Sequence, residues 1–140
     1  MDKPKCIEDV LSLRTKITNI DKQIEYYELM ANTLGGPNYD SERIDKTRNL
    51  DAPFVKWIFK KLDAEDIKKK LLDQLDEKLK IAIDEINKLL SIDEKTILTL
   101  RYVQNLSWEK IAEKTYFSRT SIFRFHRNGL ENLIQSKVGT

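Results

Sequence analysis

The sequence predicts an all-α protein, a long coiled-coil-like helical hairpin followed by a three-helix module with helix–turn–helix spacing. Apolar residues recur at steps of three and four along two long segments, as they do on one face of a helix. Only 4 glycines and 3 prolines occur in 140 residues, too few for the turns of a many-stranded sandwich or barrel. Charged residues make up 34% of the chain, which is typical of long exposed helices.

The first long helix is predicted from an uninterrupted apolar seam near the N-terminus. The seam consists of Val10, Leu13, Ile17, Ile20, Ile24, Tyr27, Ala31 and Leu34. We expect the helix to end at Gly35-Gly36-Pro37, because glycine and proline terminate helices. Such a seam is typical of an oligomerisation coil and equally of one arm of an intrachain hairpin. The sequence leaves both interpretations open.

A polar linker is predicted at about residues 35–53, followed by a new helix. Asp51 is the expected N-cap of this helix, with Pro53 in its first turn. The segment 54–62 is too apolar to remain in water, and it predicts either a packing plug or a patch that docks a partner.

The second long helix is predicted from about Asp63 to Leu90. Its seam consists of Leu72, Leu75, Leu79, Ala82, Ile86 and Leu89. Two matched amphipathic helices joined by a linker favour an antiparallel pair, and the apolar surface left over favours further pairing in a homodimer or higher oligomer. Residues 1–91 are therefore predicted to form the helical-hairpin, oligomerising region.

Residues 92–140 change character and predict a separate module of three short helices. These are expected from Asp93 to about Val103, from Trp108 to about Thr115 and from Arg119 to about Gln135. Ser107 and Ser118 are the expected N-caps of the last two. Inward packing is expected for Ile111, Ala112, Phe117, Ile122 and Phe125, a spacing typical of a helix–turn–helix.

Residues 98–133, LTLRYVQNLSWEKIAEKTYFSRTSIFRFHRNGLENL, resemble region 4 of bacterial sigma factors. The resemblance rests on Leu100-Arg101, Ile111-Ala112, Ser118, Ile122 and Leu130. Together with the coiled N-terminal half, it makes the whole chain similar to the ArpU-like phage regulators of late-gene transcription. It implies binding to promoter DNA in the cytoplasm of a bacterial host, with host RNA polymerase as a further partner.

One position departs from the sigma-like pattern. Tyr116 stands where the motif normally has glycine, four residues after Ala112. A left-handed backbone there costs a tyrosine on the order of 1–3 kcal/mol. We therefore expect the turn to be reshaped.

The C-terminal segment also carries the basic excess of the chain. Residues 101–140 contain seven basic and three acidic side chains, which predicts a polyanionic partner, although isolated arginines are often only solvated surface charges. With Ile122 and Phe125 inward, helical geometry predicts Thr120, Arg124 and Arg127 on the opposite face of the last helix, Phe123 on its flank and Arg119 in its first turn. These five residues form the predicted base-reading face. Phosphate contacts are predicted for Ser118, Trp108, Lys110, Lys114 and Arg101. His126 is expected to pack inward.

Several chemistries are not indicated by the sequence. Cys6 and His126 are the only residues of their types, and we find no phosphate-cradling glycine loop and no nucleophile–base set. We therefore expect no enzyme, cofactor or metal site. No apolar run exceeds three residues, so we expect a soluble, cytoplasmic protein with no membrane partner.

The sequence thus predicts a sequence-specific DNA-binding transcriptional regulator, an activator of phage or prophage late genes that binds promoter-region duplex DNA. One alternative is a packaging protein similar to a small terminase subunit, which would form a ring. A second is a sigma factor, which the segment DAEDI at 63–67 faintly resembles, although no aromatic residues follow to capture unstacked bases. A third is a coiled-coil adaptor that binds no DNA.

Overall fold

The computed structural model describes residues 3–34 and 52–138, and most of the chain in these ranges is helical. The elements are α1 (Lys5–Thr33), α2 (Pro53–Asn87), α3 (Ile92–Leu98) with a π-helical turn (Thr99–Val103), α4 (Trp108–Thr115) and α5 (Arg119–Val138). No strand occurs in the described part of the chain. The predicted all-α class is confirmed.

The chain divides into two compact units, Met1–Leu13 with Gln74–Thr140, and Arg14–Asp73. In the first unit, one core draws on α1, α2, α3 with its π turn, and α5. Its buried members are Cys6, Ile7, Val10, Ala82, Ile86, Leu89, Leu98, Tyr102, Leu130 and Leu133. The boundary expected after residue 91 falls inside this unit, because the ends of both long helices share a core with the C-terminal helices.

The second unit is an antiparallel helix pair formed by residues 14–33 of α1 and 53–73 of α2. Lys68 Nζ lies 2.6 Å from Asp21 Oδ1, and Lys61 Nζ lies 2.9 Å from Glu28 Oε1. Residues later in α1 therefore face residues earlier in α2. Ile20 and Ala31 of the predicted seam are buried here at 7% and 4% exposure. These contacts are consistent with the interpretation of the seam as one arm of an intrachain hairpin.

Helix α2 differs from its predicted form. A single helix runs from Pro53 to Asn87. The sequence instead predicts one helix that begins near Pro53 and a separate long helix from about Asp63 to Leu90. No glycine or proline interrupts the chain between 54 and 87, so nothing breaks the helix. Leu72 is also 44% exposed, and Leu71 is the less exposed of the two. The expected Asp51 cap, the Gly35-Gly36-Pro37 terminator and the linker up to residue 51 lie outside the described residues.

The C-terminal helices of the first unit form a second core around Ile97, Ile111 and Ile122, all at most 1% exposed. The half-buried Ala112, Phe117 and Phe125 pack against it, as the spacing predicts, together with Leu100, Leu106 and Trp108. Helix α4 has its predicted bounds. Serine side chains satisfy the first-turn amides, with Ser107 Oγ accepting from Lys110 N and Ser118 Oγ from Ser121 N, both at 3.2 Å.

Two local features control how these helices connect. After α3 the backbone widens into the π-helical turn Thr99–Val103, which the sequence analysis did not predict. Tyr116 takes the left-handed conformation directly, at φ 60° and ψ 16°, and its N–H donates to Ala112 O at 2.9 Å. The expected reshaping of this turn is wrong, because the tyrosine itself adopts the left-handed backbone and carries the strain.

Helices α3 and α5 approach each other closely at Gly129. A Cβ at this position would lie 3.0 Å from Leu98 Cδ1 and 3.2 Å from Leu98 Cγ. Leu98 is fully buried and has no room to retreat. The absence of a side chain at residue 129 thus sets the packing distance between α3 and the helix that carries the predicted DNA-facing residues.

Candidate nucleic-acid interface

The predicted base-reading residues all lie on the solvent-facing side of α5. Arg119, Thr120, Phe123, Arg124 and Arg127 are each exposed. On the same helix, Ile122 is buried at 1% exposure, and Phe125 lies 5.3 Å from Phe117 between ring centroids. The core therefore fixes the rotation of α5 and presents the predicted face to solvent.

Phe123 is held by an aromatic support from α4. Its ring meets Trp108 edge-on, with centroids 5.1 Å apart and planes at 73°. The guanidinium of Arg101 lies 4.3 Å from the centre of the Trp108 ring, and Arg101 Nη1 donates to Leu106 O at 2.9 Å. Arg101 and Trp108 are both predicted phosphate contacts, yet both are half-buried. They pack against each other, and Trp108 also packs against Phe123, which the sequence does not predict.

The other predicted phosphate contacts remain at the surface. Lys110 and Lys114 are exposed on α4, and Lys110 Nζ lies 3.4 Å from Glu113 Oε2. An exposed pair of this kind is weak and readily exchanged for another anion. Ser118 Oγ caps α5, so Ser118 can approach a phosphate only with a hydroxyl that already serves the helix.

Acidic side chains on α4 limit the positive charge near the N-terminus of α5. Arg119 Nη2 lies 4.0 Å from Glu109 Oε1, and both side chains are largely exposed. Arg124 has a different neighbour, because its guanidinium lies 5.1 Å from the centre of the Phe125 ring. The exposed Arg124 side chain is therefore supported by an apolar ring.

His126 is the polar contact between α5 and the π turn. Its Nε2 lies 2.6 Å from Tyr102 Oη, and its ring packs 4.9 Å from that of Trp108. Burial, helped by the positive charges of Arg101 and Lys3, lowers the pKa of His126 to about 4. Burial also raises the pKa of Tyr102. The imidazole is therefore neutral at pH 7, and its tautomer decides whether Nε2 accepts a hydrogen bond from the Tyr102 hydroxyl or donates one to it.

Comparison with known proteins places the chain in a family. Residues 33–134 match the model of a family described as "Protein of unknown function (DUF1492)". The chain belongs to the DUF1492 family. The matched segment of this DUF1492 protein contains all ten predicted DNA-facing residues. No curated protein and no solved structure matches the chain.

The His126 pKa makes the stability of the DUF1492 chain depend on pH. The unfolded imidazole binds a proton below about pH 6.5, whereas the folded one stays neutral until about pH 4, so acid favours the unfolded state. Between pH 7 and pH 5 we expect the free energy of unfolding to fall by about 1 kcal/mol from this group, allowing for solvent screening of the half-buried ring.

Urea unfolding of the parent and of His126→Gln at both pH values measures this effect. The glutamine variant shares every other titration, so the parent should lose more stability than the variant on acidification. Equal losses in the two proteins would show that His126 does not carry the dependence.

Two further properties concern only the residues the structure describes. Within 3–34 and 52–138, no group of three or more histidine, cysteine, aspartate or glutamate side chains is placed to hold a metal ion. Over the same ranges, no helix has the length and apolar character needed to cross a membrane.

Proposed function

We propose that this DUF1492 protein is a sequence-specific DNA-binding regulator of transcription that reads duplex DNA with α5. The observation that carries the proposal is the division of α5 into a buried and an exposed side. Ile122 is buried in the core with Ile97 and Ile111, while the five side chains of the predicted base-reading face are exposed.

The exposed face has the chemistry to read a major groove. An arginine can donate two hydrogen bonds to O6 and N7 of one guanine, and Thr120 or Phe123 can contact a thymine methyl group. Phe123 is 44% exposed yet held by Trp108, which favours a rigid apolar contact. Lys110 and Lys114 on α4 add the phosphate contacts that give affinity without sequence information.

The promoter part of the proposal rests on the resemblance to sigma region 4. It supports an activator of phage or prophage late genes that works in the bacterial cytoplasm beside host RNA polymerase. Transcription from a bound site should then change only when the host sigma factor is present.

We also propose that the protein is a homodimer. In the second unit the helix pair leaves apolar side chains in water, among them Phe59 at 57% and Leu62 at 50% exposure. These two residues, three apart, share one face of α2. A second copy of the chain would cover them.

Sedimentation equilibrium at tens of micromolar tests the dimer. We expect the parent at twice the monomer mass, and Phe59→Ser/Leu62→Ser at the monomer mass with unchanged helical circular dichroism. Ile67→Ser is the matched control, because Ile67 is 49% exposed and lies more than one helical turn beyond Leu62. A monomeric parent contradicts the proposal, and a ring-sized assembly favours DNA packaging instead.

The direct test of DNA binding is selection of duplexes from a random pool by the full-length chain. We expect an enriched sequence, with half-sites about 34 Å apart or a multiple of this spacing if two subunits bind symmetrically. Affinity should fall steeply as salt rises, because bound phosphates release counterions. No enrichment together with no salt-sensitive binding would favour the adaptor alternative.

A further inference from the structure

The turn between α4 and α5 exposes an aromatic side chain in a strained backbone. Tyr116 has φ 60° and ψ 16°, and 92% of the residue is exposed. This conformation is unfavourable for tyrosine because its Cβ crowds the backbone, whereas glycine adopts it freely.

The fold does not account for this tyrosine. A ring so exposed contributes almost no apolar burial, and the turn hydrogen bond from residue 116 N–H to Ala112 O can be made by glycine equally well. Strain that folding does not need is a reason to look for a function of the side chain.

The residues on either side of Tyr116 hold its backbone in place. Thr115 Oγ1 donates to Ile111 O at 2.8 Å and accepts from Phe117 N at 3.3 Å. The Phe117 ring packs against Phe125 of α5. The position from which the Tyr116 side chain leaves the protein is therefore fixed relative to α5.

We propose that the Tyr116 hydroxyl donates a hydrogen bond to a backbone phosphate of bound duplex DNA, an inference that rests on the proposed function. Tyr116 precedes Arg119, the first residue of α5, by three positions. When the N-terminal end of such a helix enters the major groove, the turn before it lies over the bordering sugar–phosphate backbone. Tyrosine hydroxyls are among the groups that bind DNA phosphates.

The test is binding of full-length variants to the selected duplex and to an unrelated duplex over a series of salt concentrations. Tyr116→Phe keeps the ring and the backbone strain and removes only the hydroxyl. We expect it to bind both duplexes about tenfold more weakly. The slope of affinity against salt should stay unchanged, because a neutral donor replaces no counterion, whereas Lys110→Ala should reduce that slope by about one.

Tyr116→Gly adds a second readout, because it should raise stability while it lowers the affinity for DNA. Glycine relieves the strain, so the variant should melt at a higher temperature than the parent while binding DNA at least as weakly as Tyr116→Phe. Tyr26→Phe is the matched control, because it removes the hydroxyl of a tyrosine on α1 that is 50% exposed, and it should bind like the parent.

The outcomes separate this inference from the proposed function. If the parent binds DNA and Tyr116→Phe binds equally well, the phosphate contact is absent and the regulator proposal stands. If both Tyr→Phe variants lose affinity equally, the loss does not come from the turn and the inference is wrong. If the parent binds neither duplex, the proposed function fails and the inference fails with it.

Discussion

Replacing Ile111 with alanine should cost the C-terminal helices about 2–5 kcal/mol of stability. Ile111 is fully buried between Ile97 and Ile122, where α4 meets α3 and α5. Truncation leaves a void that three tightly packed helices fill only in part. The melting temperature should fall by roughly 10 °C or more.

Tryptophan fluorescence can follow the unfolding of the first unit separately from that of the second. Trp108 lies in the first unit and Trp57 in the second, so Trp57→Phe serves as the parent background. Glu113→Ala is the matched control on α4, since it removes an exposed side chain and should shift stability by less than about 0.5 kcal/mol. If Ile111→Ala melts like this control, the core assigned to α4 is wrong.

Local sequence signals predict much of this C-terminal arrangement. The bounds of α4 follow from Ser107 as a cap and from the end of the apolar spacing, and the buried side of α5 follows from the period of Ile122 and Phe125. Each of these signals acts over one or two helical turns, so it can be recognised from residues that are close together in the sequence.

Other features depend on partners distant in sequence. Lys61 and Lys68 precede the predicted apolar seam of α2, and only their contacts with Glu28 and Asp21 show that they lie along the α1 side. Likewise, nothing near Cys6 or Ile7 indicates that they share a core with Leu130 and Leu133.

The candidate interface likewise has some features that the local sequence predicts and others that depend on tertiary contacts. The exposure of the arginines on α5 follows from the helical period, so the sequence alone predicts that these side chains face solvent. The packing roles of Arg101 and Trp108 were not, because they require the π turn to bring Arg101 over the Trp108 ring. Arginine on an aromatic face is a weak signal in sequence, where the two residues are seven positions apart.

Replacing Arg124 with alanine should weaken binding to the selected duplex by about 1–3 kcal/mol, or roughly 5- to 150-fold. Arg124 is exposed on α5, with its guanidinium supported by the Phe125 ring, and it is not engaged by Glu109 as Arg119 is. Losing it leaves the hydrogen-bonding edge of one base pair without a partner, while the fold keeps its core.

Titrations on matched duplexes measure this effect and its origin. A residue that reads a base loses affinity mainly at the selected site and relaxes sequence preference at one position, whereas a phosphate contact weakens all duplexes alike. Lys69→Ala is the control, because it removes one exposed positive charge from α2 and should bind like the parent. If Arg124→Ala binds the selected duplex as tightly as the parent, the outward face of α5 does not read DNA through Arg124. A uniform loss on every duplex would instead make Arg124 a phosphate contact and leave Arg119, Thr120, Phe123 and Arg127 to carry the reading.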